Sequence, residues 1–178
     1  MRVISGSFGG SRLVSPKGRG TRPTTDRNRE ALFSMLGARG GFDGLSVLDM
    51  FAGSGALGLE ALSRGAAHCT FVENDHAACA AIKANIATCK AEARATVLRR
   101  DARKADFAEA RFELVFLDPP YGKGLAAAVL PNLLSALAQD TLLVVEEDKR
   151  SDFTPPKGFV EIDKRVRGDT SLMFLKPA

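Results

Sequence analysis

Three glycines in the stretch VLDMFAGSGALG, residues 47–58, have the G-x-G-x-x-G spacing of a loop that holds a nucleotide. Gly53, Gly55 and Gly58 let the backbone approach a ligand at the start of a helix. Glu73 follows Gly53 by 20 residues, where an acid accepts hydrogen bonds from ribose hydroxyls. Because an apolar strand, the glycines and the distal acid occur in this order, the pattern favours a nucleotide cofactor over a tight turn without a ligand.

An acidic residue beside this loop distinguishes between cofactors. Asp49 lies four residues before Gly53, and a carboxylate there repels the pyrophosphate that NAD places at a helix N-terminus. The same carboxylate suits a cation, such as the ammonium or sulfonium of S-adenosylmethionine. Asp101 follows the third predicted strand, where the adenine of such a cofactor would end. The alternatives are a turn-capping role for Asp49 and a solvated loop position for Asp101.

The tetrapeptide Asp118-Pro119-Pro120-Tyr121 ends the most apolar predicted strand, FELVFL at 112–117. Two successive prolines fix φ twice and remove two N–H donors, so the turn presents acceptors without competing donors. Such a cluster suits an amino group, and Tyr121, the only tyrosine, can stack on a flat base. The alternative is a rigid exit from a core strand, with Tyr121 packed on the surface.

The chemistry that this turn supports is methylation of an exocyclic amine. The lone pair of such an amine is delocalised into the base. Acceptors on its two N–H groups, from the Asp118 carboxylate and the Pro119 carbonyl, would aim the lone pair at a sulfonium methyl group. Tyr121 would hold the ring for in-line attack, so most of the gain would come from positioning. An amine in structured nucleic acid must be exposed or flipped out to reach the site.

Alternating strand and helix patterns position both motifs. A parallel sheet with helices on both faces is expected, and its ligands collect outside the carboxyl ends of the strands. The two final strands, joined without a helix, would be antiparallel. Strands are predicted at 46–51, 68–73, 96–99, 112–117, 142–145, 159–162 and 172–175, with helices at 56–63, over 79–89 and from Leu125 to Leu137 around Pro131.

The N-terminal segment differs from the rest in charge. The first 40 residues have a net charge of +6, and the other 138 a net charge of −2. Short strands at 3–5 and 12–14 predict a hairpin, and a helix follows Thr24 or Thr25 and ends at the GARGG run, 37–41. This charge favours a polyanionic partner, although a solvated extension would have it too. The side chains that we expect to contact RNA are Arg2, Arg12, Lys17, Arg19 and Arg22.

Composition excludes several classes of protein. The chain has 178 residues, of which 45% are hydrophobic and 26% charged, which predicts about one globular domain rather than a disordered chain. No run approaches the ~20 apolar residues of a membrane span, and no signal-peptide pattern opens the chain, so a cytoplasmic location is expected. Three cysteines without a CxxC motif and two histidines argue against a disulfide framework or a metal site.

Several segments resemble known families. LDMFAGSG, the acids Glu73 and Asp101, and DPPY are similar to the class I, Rossmann-like S-adenosylmethionine-dependent methyltransferases of exocyclic amines. A narrower resemblance, to the bacterial 16S ribosomal RNA guanine-N2 methyltransferase family of the RsmD type, covers nearly the whole chain. Its segments are VISGSFGGSRLVSP (3–16), TRPTTDRNREALFSML (21–36), LDMFAGSGALGLEALSRGA (48–66), FVEND (71–75) and LDPPY (117–121).

This resemblance implies an α/β fold with a seven-stranded, mostly parallel sheet and an antiparallel last strand. A basic hairpin and helix extension would occupy 1–40, and the Rossmann-like methyltransferase domain 41–178. The implied activity is methyl transfer to a guanine N2 of 16S rRNA, within a small-subunit ribosomal particle, by a monomer without metal. Beyond the acids and glycines above, the resemblance implies cofactor contacts from Thr25, Arg27, Phe51, Ala52, Ser54, Asn74 and Ala102, and catalysis by Asp118, Pro119, Pro120 and Tyr121.

Other interpretations stay open on the residues alone. DPPY does not distinguish guanine N2 from adenine N6 in RNA or DNA, cytosine N4 or a protein glutamine amide, so guanine follows from the resemblance. An NAD-dependent oxidoreductase would need a hydride-handling site, and the sequence has no Tyr-x-x-x-Lys. An RNA-binding or assembly module with a vestigial pocket would not need the glycines and acids intact. DNA is not expected, since DNA methyltransferases usually add a target-recognition domain.

Overall fold

The computed structural model describes residues 1–16, 26–107 and 110–178. Seven strands form one sheet in the order β3-β2-β1-β4-β5-β7-β6. Strands β1 to β5 are parallel, and β7 runs antiparallel to both β5 and β6. The predicted α/β architecture, with a mostly parallel sheet and an antiparallel last strand, is confirmed. The strands are β1 (Ser46–Met50), β2 (His68–Glu73), β3 (Ala95–Arg99), β4 (Phe112–Leu117), β5 (Leu137–Asp148), β6 (Phe159–Arg167) and β7 (Thr170–Pro177).

Four α-helices accompany the sheet in the described residues: α1 (Asp26–Gly37), α2 (Ala56–Ser63), α3 (His76–Thr88) and α4 (Leu125–Leu133). Helix α3 follows the predicted spacing, since Cys79, Ile82 and Ile86 are all buried on it. Its N-terminus is capped by Asp75, which accepts a 2.8 Å hydrogen bond from the Ala78 N–H. No helix in the described part of the chain is both long enough and apolar enough to cross a membrane.

The core consists of two apolar layers, one on each side of the sheet. Phe116 belongs to the layer that includes Phe33 of α1 and Ile82 of α3. Its neighbour Val115 belongs to the layer that includes Val129 of α4. Successive side chains of a strand point to opposite faces, so β4 must be apolar on both. This explains its continuous apolar sequence.

The N-terminal segment is docked on the body. Val3 and Leu13 are buried in the same apolar layer as Phe116. Glu60 of α2, fully buried, accepts hydrogen bonds from the backbone N–H groups of Ile4, at 2.7 Å, and of Ser5, at 3.1 Å. The hairpin predicted over 3–5 and 12–14 is present as a single antiparallel bridge between Arg2 and Arg12.

The predicted end of α4 is wrong. The four-residue repeat of leucines predicts a helix through Leu137, but α4 ends at Leu133 and Leu137 begins β5. Pro131 lies in the last turn of α4 and cannot supply a helical N–H. The chain then tightens into a 3-10 turn at Leu134–Ala136 before it enters the sheet.

Five strands also differ in length from the prediction: β1 is shorter, and β3, β5, β6 and β7 are longer. Strand β5 has 12 residues, not only the apolar 142–145, because Leu137 pairs with Phe112 of β4 and the polar residues 146–148 pair with β7. Strand β1 ends at Met50, one residue early. The next residue, Phe51, has a φ of 63°, which is outside the range of a strand.

Candidate active site

The glycine loop and the DPPY turn meet at one edge of the sheet. Strands β1 and β4 are parallel neighbours, and their last residues, Met50 and Leu117, lie opposite each other. The glycine loop begins directly after Met50, and Asp118 follows directly after Leu117. The two motifs therefore occupy adjacent strand ends on the carboxyl edge, where α/β sheets bind ligands.

The loop conformation requires its glycines. Gly53 and Gly55 have φ values of 58° and 78°, in the left-handed region that side chains disfavour. A Cβ on Gly58 would lie 2.3 Å from Cε1 of Phe71, so helix α2 could not pack on β2 as closely. Phe51 takes the left-handed conformation without being glycine, and such strain is typical of functional sites.

Glu73 ends β2 and is nearly buried, with 4% of its surface exposed. Its Oε2 accepts a 3.0 Å hydrogen bond from the Gly53 N–H. Its Oε1 accepts from the N–H groups of Asn74, at 2.8 Å, and Asp75, at 2.9 Å. Glu73 therefore shapes the glycine loop. Its expected contact with a ribose hydroxyl, and the expected cofactor contacts of Phe51, Ala52, Ser54 and Asn74, stay predictions.

Asp49 is buried beneath the loop, with 2% of its surface exposed. Its Oδ2 accepts a 2.9 Å hydrogen bond from the Gly58 N–H in the first turn of α2. Burial raises the pKa of Asp49 to about 7; the Gly58 bond lowers this pKa and the charge of Glu73 raises it. The alternative role of Asp49, capping of the turn, is therefore present. Its expected attraction for a cation stays a prediction.

Asp101 is bonded to Arg103 near the protein surface. It accepts a hydrogen bond from the Arg103 N–H, at 2.9 Å, at the start of the 3-10 turn Ala102–Lys104. The Arg103 guanidinium lies 2.6 Å from Asp101 Oδ2, and these bonds lower the pKa of Asp101 to about 2. An adenine amino group would have to share this carboxylate with Arg103. Ala102 is buried beside it.

The four residues of the DPPY turn differ in their exposure to solvent. Asp118 is half-buried, Pro119 is buried and Pro120 is exposed. Tyr121 is 40% exposed, so part of its side chain is open to solvent. Its hydroxyl donates a 2.9 Å hydrogen bond to Oε1 of Glu146, at the end of β5. The rigid turn therefore leaves the tyrosine ring accessible while its hydroxyl is held.

Carboxyl groups from the ends of three strands lie close together at this edge. The pKa of Asp118 is raised well above its usual range, first by burial and then by the charges of Glu146, Asp49 and Glu147. Burial also raises the pKa of Glu146, while its bond with Tyr121 lowers it. A positively charged group bound next to these acids would favour their ionised forms. Among the described residues, no cluster of His, Cys, Asp and Glu is arranged to hold a metal ion.

Glu146 is a candidate site residue that the sequence motifs do not single out. Like Asp49 and Asp118, it is an acid at the end of an apolar run, here LLVVEED. That shared position is the signal that could have found it. Its partnership with Tyr121 depends on β5 lying next to β4, which no local pattern indicates.

The residues expected to contact RNA are described only in part. Arg2 and Arg12 are exposed and opposite each other across the antiparallel bridge, so their side chains share a face. Arg27 is exposed in the first turn of α1, where its predicted cofactor contact is untested. Arg29, in contrast, is buried and forms ion pairs with Asp26 and Glu60. Lys17, Arg19, Arg22 and Thr25 lie outside the described residues.

Comparison with known proteins places the whole chain among proteins of similar length. A family model described as Conserved hypothetical protein 95 matches residues 1–176. YlbH of Bacillus subtilis (strain 168) is 41% identical over 183 residues, which cover 99% of this chain and 98% of that protein. Ribosomal RNA small subunit methyltransferase D of Escherichia coli (strain K12) is 41% identical over 152 residues, 83% of this chain and 75% of that protein. The solved structure of yhhF from Escherichia coli is 37% identical and superimposes with a TM-score of 0.84, covering 99% of this chain and 97% of the other.

Proposed function

This chain belongs to the Conserved hypothetical protein 95 family, the family of the RsmD-type ribosomal RNA methyltransferases, and on that premise we propose that it methylates 16S ribosomal RNA. The reaction transfers a methyl group from S-adenosylmethionine to the exocyclic N2 of a guanine. The observation that carries the proposal is the register of Met50 opposite Leu117. It puts the glycine loop and the DPPY turn at adjacent strand ends.

The residues at this edge fit S-adenosylmethionine. The glycine loop allows close approach of a ligand, and Glu73, at the end of β2, has the position of the acid that accepts from ribose hydroxyls. Asp49 supplies negative charge beneath the loop, and Asp101 lies at the start of the turn after β3, on the expected adenine side. When bound, the cofactor supplies an electrophilic methyl carbon, whose bond to sulfur breaks with the electron pair staying on sulfur.

The DPPY turn handles the amine. The Asp118 carboxylate and the Pro119 carbonyl accept hydrogen bonds from its two N–H groups. These bonds aim the nitrogen lone pair at the methyl carbon. The Tyr121 ring stacks on the base, with its hydroxyl held by Glu146. Methylation gives a strongly acidic ammonium, so little base catalysis is needed. Asp118, whose pKa is raised, is well placed to take the released proton.

The N-terminal hairpin supplies affinity for RNA. The exposed Arg2 and Arg12 form one basic face, while Val3 and Leu13 anchor the opposite face in the core. Lys17, Arg19 and Arg22 extend the same basic segment in sequence. The substrate is a small-subunit ribosomal particle, approached by a monomer.

Mass spectrometry of nucleosides from small-subunit rRNA tests the proposal. Cells without this gene should lack one N2-methylguanine, and the gene should restore it. An unchanged nucleoside profile, or a missing methyladenine or methylcytosine, would overturn the guanine assignment.

Variants test the roles of the turn. Asp118→Ala and Tyr121→Ala should each lower turnover by about 100-fold, since positioning of the amine is lost. Affinity for S-adenosylhomocysteine should change less than about twofold, because neither residue lies in the glycine loop. Asp43→Ala, an exposed acid at the opposite edge of the sheet, is the matched control. A tenfold loss of cofactor affinity would mean that the turn supports the cofactor pocket instead.

A further inference from the structure

Glu146 and Asp118 follow two residues that are paired across neighbouring strands of the sheet. Strands β4 and β5 are parallel neighbours, with Phe116 opposite Val144 and Leu117 opposite Val145. Asp118 and Glu146 are the next residues along each chain. Because side chains alternate along strands, these two acids continue the same face as Phe116 and Val144. Apart from burial, the charge of Glu146 is the largest influence raising the pKa of Asp118, as this proximity requires.

Glu146 is also held firmly in place. It lies within β5 and is opposite Leu172 in the antiparallel pair with β7. Its Oε1 accepts the 2.9 Å hydrogen bond from the Tyr121 hydroxyl, which also lies 3.4 Å from Oγ1 of Thr170. In the described part of the chain, no hydrogen bond uses the second oxygen, Oε2. A rigid strand therefore presents an acceptor next to the ring on which the base would stack.

The edges of the candidate bases differ in what they offer to such an acceptor. Guanine has two donors side by side, the N2 amine and the N1–H. Adenine pairs its N6 amine with an acceptor at N1, and cytosine pairs its N4 amine with an acceptor at N3. Two adjacent carboxylates match two adjacent donors. A second carboxylate facing a ring-nitrogen lone pair would instead be repelled and left unpaired.

We propose that Glu146 selects guanine by accepting the guanine N1–H through Oε2, while Asp118 and Pro119 hold the N2 amine. This inference rests on the proposed function and deepens it, because the DPPY turn alone accepts any exocyclic amine. The Tyr121 bond to Oε1 fixes the carboxylate so that its other oxygen faces the base. Glu146 is then a specificity-determining residue supplied by β5.

Glu146→Gln distinguishes this role from a purely positioning one. Glutamine keeps an oxygen that can accept from Tyr121, but it replaces the second oxygen with an NH2 donor. That donor opposes the N1–H of guanine. It complements 2-aminopurine, which keeps the 2-amine and has an acceptor at N1. If Glu146 only oriented Tyr121, Glu146→Gln would keep the parent's rates on both guanine and 2-aminopurine.

The experiment measures kcat/KM on small-subunit particles that are reconstituted with two versions of 16S rRNA. The two RNAs carry guanine or 2-aminopurine at the position that mass spectrometry of RNase fragments of the rRNA identifies. The parent should prefer guanine by at least about 10-fold. Glu146→Gln should lose about 10- to 100-fold on guanine and shift the ratio of the two substrates toward 2-aminopurine by at least about 10-fold. Affinity for S-adenosylhomocysteine, which should not change, shows that the variant is folded.

Glu161→Gln is the matched control, since it makes the same charge change at an exposed position of β6. It should leave both rates and their ratio unchanged. Equal parent rates on the two RNAs would overturn the inference even if Glu146→Gln did not fold. An unchanged ratio in Glu146→Gln, with either full or uniformly reduced rates, would also overturn it. A parent that methylates neither RNA would instead refute the proposed function itself.

Discussion

The carboxylate of Glu73 accepts a 3.0 Å hydrogen bond from the backbone N–H of Gly53, 20 residues earlier in the chain. Glu73 ends β2, and Gly53 lies in the loop that follows β1, so the bond ties two neighbouring strand ends together. The same carboxylate accepts from the N–H groups of Asn74 and Asp75. The distal acid of the G-x-G-x-x-G pattern therefore also shapes the loop.

Glu73→Ala should weaken S-adenosylhomocysteine binding by about 1–3 kcal/mol, because hydrogen bonds in a nearly buried site are lost and the Gly53 N–H loses its acceptor. Glu73→Gln keeps one acceptor oxygen and should lose less. Isothermal titration measures the affinity, and thermal unfolding measures the effect on the loop. Glu92→Ala, which changes another acid in the described chain, is the control. Unchanged affinity in Glu73→Ala would remove this residue from the cofactor site.

Gly58→Ala should lower the free energy of unfolding by about 1–3 kcal/mol, the usual cost of overpacking. The new Cβ would lie 2.3 Å from Cε1 of Phe71 and 2.5 Å from Sγ of Cys69, so α2 would have to move away from β2. Cofactor affinity should fall too, since α2 follows the glycine loop. Gly37→Ala, at the end of α1, meets nothing within 4 Å and is the control. Chemical denaturation of both variants checks this, and equal stabilities would contradict it.

S-adenosylmethionine affinity should rise between pH 6 and pH 8. The pKa of Asp49 is raised to about 7, so the residue is largely neutral at pH 6, and a cation binds its carboxylate form better. Binding near pH 7 should therefore release a proton. Isothermal titration in two buffers of different ionisation enthalpy measures that release. Asp49→Asn keeps an acceptor for the Gly58 N–H and should flatten the pH dependence; a slope that survives in this variant would assign it to another group.

The same pKa also fixes the sign of one contribution to stability. Between its usual pKa near 4 and about 7, Asp49 holds a proton in the folded state that the unfolded chain has released. Its contribution to the free energy of unfolding is therefore present at low pH and is lost as pH rises through that range. Unfolding of Asp49→Asn should lack this component.

Replacing Arg2 and Arg12 with alanine should weaken RNA binding and reduce the slope of affinity against salt by about one unit for each phosphate that is no longer neutralised. Both side chains are exposed on one face of the hairpin. The control is the double variant Lys157→Ala with Lys176→Ala. It removes two exposed charges, one just before β6 and one in β7, the last two strands in the order of the sheet. RNA binding across a salt series measures the slopes. If the two double variants match, the RNA surface lies elsewhere.

Local sequence patterns were enough to predict most of the elements and the place of the site. The bounds of α2, β2 and β4 are those predicted. For β4 the reason is that an apolar run bounded by turn residues favours a buried strand. The two motifs could be assigned to one edge for a similar reason: parallel strands all end on the same side. Both inferences use only the order and polarity of nearby residues.

The pairing of distant groups, in contrast, arises only when the whole chain folds. Leu137 fits a helical repeat in the sequence, but it begins β5. Its pairing with Phe112 of β4 stabilises the strand more than the local repeat stabilises a helix. Arg29 is buried because Asp26 and Glu60 surround it, although its sequence context is a basic segment. Glu146 meets Tyr121 only because β5 lies next to β4. Such contacts depend on strand order and register, which arise from packing the whole chain at once and leave no trace in the pattern of any single segment.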